Sequence, residues 1–106
     1  MDGRILDKLY DVIMSRKGSD PATSWTAQLL DAAPELPAKK LGEESAEAII
    51  EALKGDKVGL TKEAADVIYH LLVLLAGTDV SIKDVWAELE RREAQSGIAE
   101  KANRTP

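Results

Sequence analysis

Glu44 and Glu47 form an acidic pair three residues apart, and Glu63 and Asp66 repeat the spacing. On a helix, that spacing puts both carboxylates of a pair on one face. Like charges so placed repel, and the arrangement is costly unless a cation sits between them. Hard oxygen ligands of this kind suit Mg²⁺, with Mn²⁺ as the alternative, and Mg²⁺ retains waters and takes further oxygens from a substrate phosphate. Either pair alone is an ordinary solvated face, because glutamate is a good helix former and Glu63 near a helix start is favoured by the helix dipole. The second pair says more. Glu63, Asp66 and His70 share one stripe of an apolar segment, where a buried charge survives only if paired or metal-bound.

His70 is the single histidine, so a ferritin-like di-iron site, which needs a Glu-x-x-His from each of two helices, is excluded. It reads as a hydrogen-bonded residue behind the ligands rather than one of them. Gly-x-Ser-x-Gly, Walker A and Gly-x-Gly-x-x-Gly patterns are missing, which removes an acyl-transfer elbow and the common nucleotide loops. Lys39 and Lys40 lie one turn before Glu43 and Glu44 and can lend positive charge to a polyanionic substrate. Arg16 borders the first loop as a further cation. Ser24, Trp25 and Thr26 offer hydroxyls and an aromatic wall, or else a helix cap and core packing.

Five helices must position these groups. Ile5, Leu6, Leu9, Val12 and Ile13 predict a helix over roughly residues 3 to 17, stopped by Gly18. Ser24 caps a short second helix through Leu30, and Pro34 and Pro37 bracket the start of a third over about 36 to 54. A fourth opens near Thr61, closes at Gly77 and is apolar on every side, which marks it as buried. Ser81 and Asp84 resemble a capping box for a fifth, ending near Arg92. The short connection between the third and fourth helices makes them antiparallel neighbours, so the four carboxylates can converge.

No strand signal is sustained, and the fold class is all-α. With 106 residues, 44% apolar and 31% charged, the chain reads as one domain over 1 to 106 with a polar tail from about 93. So short a chain cannot surround the fourth helix, which predicts a homodimer or higher homo-oligomer. Nineteen acidic against 14 basic residues give a net charge of −5, which argues against nucleic acid and anionic membranes as partners. The absence of cysteine removes disulfides and thiolate chemistry, and no segment reads as a signal peptide or membrane span, so the expected location is the cytoplasm. Asn103-Arg104-Thr105 matches a glycosylation acceptor by chance.

Over roughly Ile5 to Arg92 the sequence resembles the phosphoribosyl-ATP pyrophosphatase family of histidine biosynthesis, a branch of the all-α nucleoside triphosphate pyrophosphatases. The resemblance rests on Ser-Trp-Thr-Ala at 24 to 27, Lys-Lys-Leu-Gly-Glu-Glu at 39 to 44 with Glu47, and Glu-Ala-Ala-Asp at 63 to 66 running into Tyr-His-Leu-Leu-Val-Leu-Leu. The superfamily pattern Glu-x-x-Glu followed by Glu-x-x-Asp falls on Glu44, Glu47, Glu63 and Asp66. The family more often carries tyrosine where Trp25 stands, so the aromatic face is kept and a hydroxyl is lost. The resemblance implies Mg²⁺-dependent hydrolysis of phosphoribosyl-ATP to phosphoribosyl-AMP and pyrophosphate. It makes those four acids metal ligands, Lys40 a phosphate contact, and Glu43 a substitute ligand or an acceptor behind the ligands. The alternative within the same class is a general house-cleaning nucleoside triphosphate pyrophosphatase. From another class, a non-catalytic helical interaction module would present the same acidic face.

Overall fold

The computed structural model describes residues 3–94, and every regular element among them is a helix. In chain order these are α1 (Arg4–Ser15), α2 (Trp25–Asp31), α3 (Glu35–Lys54), α4 (Lys57–Gly77) and α5 (Ile82–Glu93). The tail expected from about 93 and the Asn103-Arg104-Thr105 triplet fall almost wholly outside the described residues. No single described helix is long and apolar enough to cross a bilayer.

Local chemistry sets most of the boundaries. Ser24 is extended and its hydroxyl accepts the Ala27 N–H at 3.1 Å, starting α2 as expected. Pro34 precedes α3, and Pro37 sits in its first turn, where the missing N–H is no loss. α3 ends in a Schellman turn: Gly55 takes φ +77°, its N–H meets the Ala52 carbonyl, and the Asp56 N–H meets that of Glu51. Asp56 then caps α4 by accepting the Gly59 N–H at 2.9 Å, a bond that holds its carboxyl below the usual carboxylate range. For this reason α4 begins at Lys57 rather than near Thr61: the cap recruits Gly59, which the pattern of apolar residues had treated as loop. α1 is shorter than expected, closing at Ser15. At α5 the capping box is incomplete, since Ser81 accepts from Lys83 N–H and its carbonyl, not its side chain, meets the Asp84 N–H.

The core gathers at one end of the molecule. Tyr10 and Ile13 of α1, Leu29 of α2, Leu72, Val73 and Ala76 of α4, and Ile82 of α5 form one buried cluster. Gly77 lets the end of α4 press on the segment after α2, where a Cβ would stand 2.6 Å from that of Ala33. The Tyr10 hydroxyl donates to the Val80 carbonyl at 2.8 Å, and the Trp86 indole N–H donates to Asp7 at 2.7 Å, tying α5 back to α1. By contrast the outer half of the α3/α4 hairpin has no buried residue. Ile49, Ile50, Val58 and Ile68 are exposed, as is Leu53 at 84%. As expected of so short a chain, the fourth helix is covered only in part within one chain: His70, Leu72, Val73 and Ala76 are buried, while Ile68 and Leu71 are not.

Candidate metal and phosphate site

Of all helix pairs, α3 and α4 pack together most extensively, and the turn at Gly55 sets their register. Glu47 and Glu63 lie eight residues to either side of Gly55, and Glu44 and Asp66 lie eleven to either side. An antiparallel hairpin folded there brings each acid of one motif opposite an acid of the other. Carboxylate oxygens of Glu44, Glu63 and Asp66 all lie within 4.8 Å of one another. Glu47 stands against Glu63 at the edge of this group.

The group is electrostatically unsatisfied. Glu63 Oε2 is buried with no hydrogen-bond partner. With every acid ionised there is no hydrogen to share, whereas a proton on Glu63 supplies one. Its carboxyl is accordingly pushed up to about 7, first by the hydrogen bond with Glu47, then by burial, then by Glu44. A divalent cation answers the same need as that proton, and an all-oxygen donor set with one buried orphaned oxygen fits Mg²⁺ or Mn²⁺. Asp66 is exposed, contrary to the expectation that it lay among apolar neighbours. Its side of α4 faces solvent beside α3, which leaves the oxygens open to a ligand arriving from outside.

Lys40 is half-buried, 3.3 Å from Glu43 and 3.8 Å from Glu44, and so borders the cluster. Lys39 is exposed and only grazes Glu43 at 4.0 Å. Glu43 thus pairs with the lysines and is not among the clustered acids. His70 is buried, and its Nδ1–H donates to the Asp66 carbonyl at 2.8 Å, one turn behind that carboxylate. Arg16 lies at the end of α1. Its neighbour Lys17 pairs with Asp79 at 3.0 Å, beyond the far end of α4, about 16 Å along the helix from Asp66. The hydroxyl of Ser24 is engaged in capping α2. That of Thr26 lies 2.5 Å from the hydroxyl of Tyr69, a residue the spacing argument passed over. Tyr69 is three residues past Asp66, so extending the Glu-x-x-Asp spacing by one further turn would have found it.

Helices throughout, with acids from two antiparallel helices meeting at one point beside a lysine, define an all-α protein of the carboxylate-cluster type. Residues 6–93 match the family model described as phosphoribosyl-ATP pyrophosphohydrolase. The phosphoribosyl-ATP pyrophosphatase of Roseobacter denitrificans is 65% identical over 93% of this chain and 94% of its own length. That of Dinoroseobacter shibae is 61% identical over 94% and 98%, and one from Cereibacter sphaeroides is 59% identical over 94% and 97%. The chain belongs to the phosphoribosyl-ATP pyrophosphohydrolase family, a family of hydrolases, as the motifs in its sequence had implied.

Proposed function

We propose that this chain hydrolyses phosphoribosyl-ATP to phosphoribosyl-AMP and pyrophosphate in histidine biosynthesis, with Mg²⁺ as its cation and Mn²⁺ as a substitute. The observation that carries the reading is the meeting of Glu44, Glu63 and Asp66, with Glu47 beside them, in a chain whose relatives bear that enzyme's name. Glu44, Glu47, Glu63 and Asp66 hold the cation. When bound, it would neutralise phosphate charge, which Lys40, already paired with Glu43 and Glu44, can meet only in part. Lys40 exchanges part of its pairing with Glu43 for a phosphate oxygen, and Lys39 adds a longer-range positive charge. His70 steadies the backbone at Asp66 and so fixes where that carboxylate starts. The nucleotide binds without a glycine-rich loop.

The active form is a homodimer in the cytoplasm. The exposed apolar side chains of the outer hairpin support it, since covering the exposed half or so of one such side chain contributes about 1 kcal/mol. The direct test is pyrophosphate release from phosphoribosyl-ATP with and without Mg²⁺, alongside ordinary deoxynucleoside triphosphates. Turnover of phosphoribosyl-ATP is expected to need the metal and to fall more than about 100-fold in Asp66→Ala, with helical circular dichroism unchanged. Metal-independent turnover, or preference for ordinary triphosphates, would sink the proposal.

A further inference from the structure

Thr26 Oγ1 and Tyr69 OH lie 2.5 Å apart, joining α2 to α4. Two hydroxyls carry two hydrogens, and the bond between them uses one. Among the described residues the other hydrogen has no acceptor, because neither hydroxyl makes a second hydrogen bond. The pair is partly buried, so its spare hydrogen is held in a fixed place at the surface of the α2–α4 contact, where a ligand oxygen can take it. Its position is informative. Tyr69 is three residues beyond Asp66 on α4, a displacement of about 4.5 Å along the axis toward α2.

A phosphate chain held at the carboxylates can continue in two directions. Toward the hairpin tip lie the exposed Lys57 and Lys62, which offer charge, while the Thr61 hydroxyl hydrogen is already given to the Lys57 carbonyl at 2.8 Å. Toward α2 stands the unspent hydroxyl of the Thr26–Tyr69 pair. α2 is held in place for this by the Ser24 cap and by the Gln28 side-chain amide, which donates to the Pro21 carbonyl at 2.8 Å.

We propose that the Thr26–Tyr69 pair is a substrate-binding group that donates its free hydroxyl hydrogen to an oxygen on the adenylate side of the cleaved bond. This rests on the function proposed above. The two products divide the question: phosphoribosyl-AMP carries the adenylate side, and pyrophosphate does not. In calorimetric titrations with Mg²⁺, whichever of Tyr69→Phe and Thr26→Val removes the hydroxyl that carries the spare hydrogen is expected to weaken phosphoribosyl-AMP binding about 3- to 10-fold, the other, which removes only the hydroxyl that orients it, less, and the double variant no more than the stronger single. Thr26→Ser should bind as the parent does, and pyrophosphate should bind all variants alike. AMP against adenosine then tells phosphate oxygen from ribose oxygen. A purely structural clasp would lower the melting temperature without separating the two products. Equal weakening of both products, or of neither, in variants of a parent that turns over phosphoribosyl-ATP overturns the assignment alone. A parent that binds phosphoribosyl-AMP with this split but turns over nothing overturns the function, and with it the placement relative to a cleaved bond, leaving the pair as a contact to the nucleotide alone.

Discussion

The proposed cation site should bind its ion in a pH-dependent way that can be worked out from the surroundings of Glu63. Its carboxyl is held at about 7 by Glu47, burial and Glu44, against an ordinary value of 4.5. Below 7 a cation must displace a proton, so its apparent affinity falls about tenfold per pH unit, whereas above 7 the site is already ionised and the affinity levels off. From pH 8 to pH 5.5 the loss is about 30-fold. Mn²⁺ titrations in buffers of differing ionisation enthalpy read both quantities, with about half a proton released at pH 7 and nearly one at pH 6. Glu47→Gln replaces the leading cause of the shift by a side chain able to donate to Glu63, so the same pH span should then change affinity less than about threefold. The fold responds in the opposite sense. A raised carboxyl keeps, in the folded state, a proton that the unfolded chain has lost between 4.5 and about 7. The cation-free protein therefore has this contribution in full below 4.5 and loses it as pH rises through 7. Mn²⁺ affinity flat from pH 5.5 to 8, with no proton release, would refute the reasoning.

Leu53→Glu, at the most exposed of the hairpin's apolar positions, should convert a dimer into a monomer in sedimentation equilibrium while leaving helicity intact; a parent that sediments as a monomer contradicts the proposed assembly. Gly77→Ala forces a Cβ to within 2.6 Å of Ala33 and should cost about 1–3 kcal/mol in urea unfolding. Glu88 is pulled down to about 2 by hydrogen bonds from Arg91 and then Arg92, so its contribution to stability is present above 4.5 and lost as pH falls toward 2. The melting difference between parent and Glu88→Gln should close over that acid range, and shrink in salt because the group is half-exposed.

The acid pairs were legible because three-residue spacing is a local property of a helix, and their convergence followed from a short connection. The midpoint position of Gly55, which sets the pairing of Glu47 with Glu63 and of Glu44 with Asp66, was also present in the sequence. It needed only a reading of the glycine as a left-handed stop. The start of α4 was misplaced because a cap that includes Gly59 overrides the poor helix preference of that residue. Exposure of Asp66 was not legible, since the side of α4 that meets solvent depends on how α1, α2 and α3 share its surface. Nor was the Thr26–Tyr69 bond, which joins residues 43 positions apart on helices whose mutual placement no local pattern encodes.

The hairpin that holds all four acids is one uninterrupted stretch of chain, closed by a tight turn. Its contacts are short-range in sequence, the kind that form early in a folding reaction, before α1, α2 and α5 gather at the core end. Repulsion among Glu44, Glu47, Glu63 and Asp66 is then met while the barrier is being climbed, not after it has been crossed. A divalent cation present during refolding should act mainly by quickening the folding limb of the chevron, with the unfolding limb barely changed. If the proposed cation binds, it would then act on the newly made chain as an assembly aid before any substrate arrives.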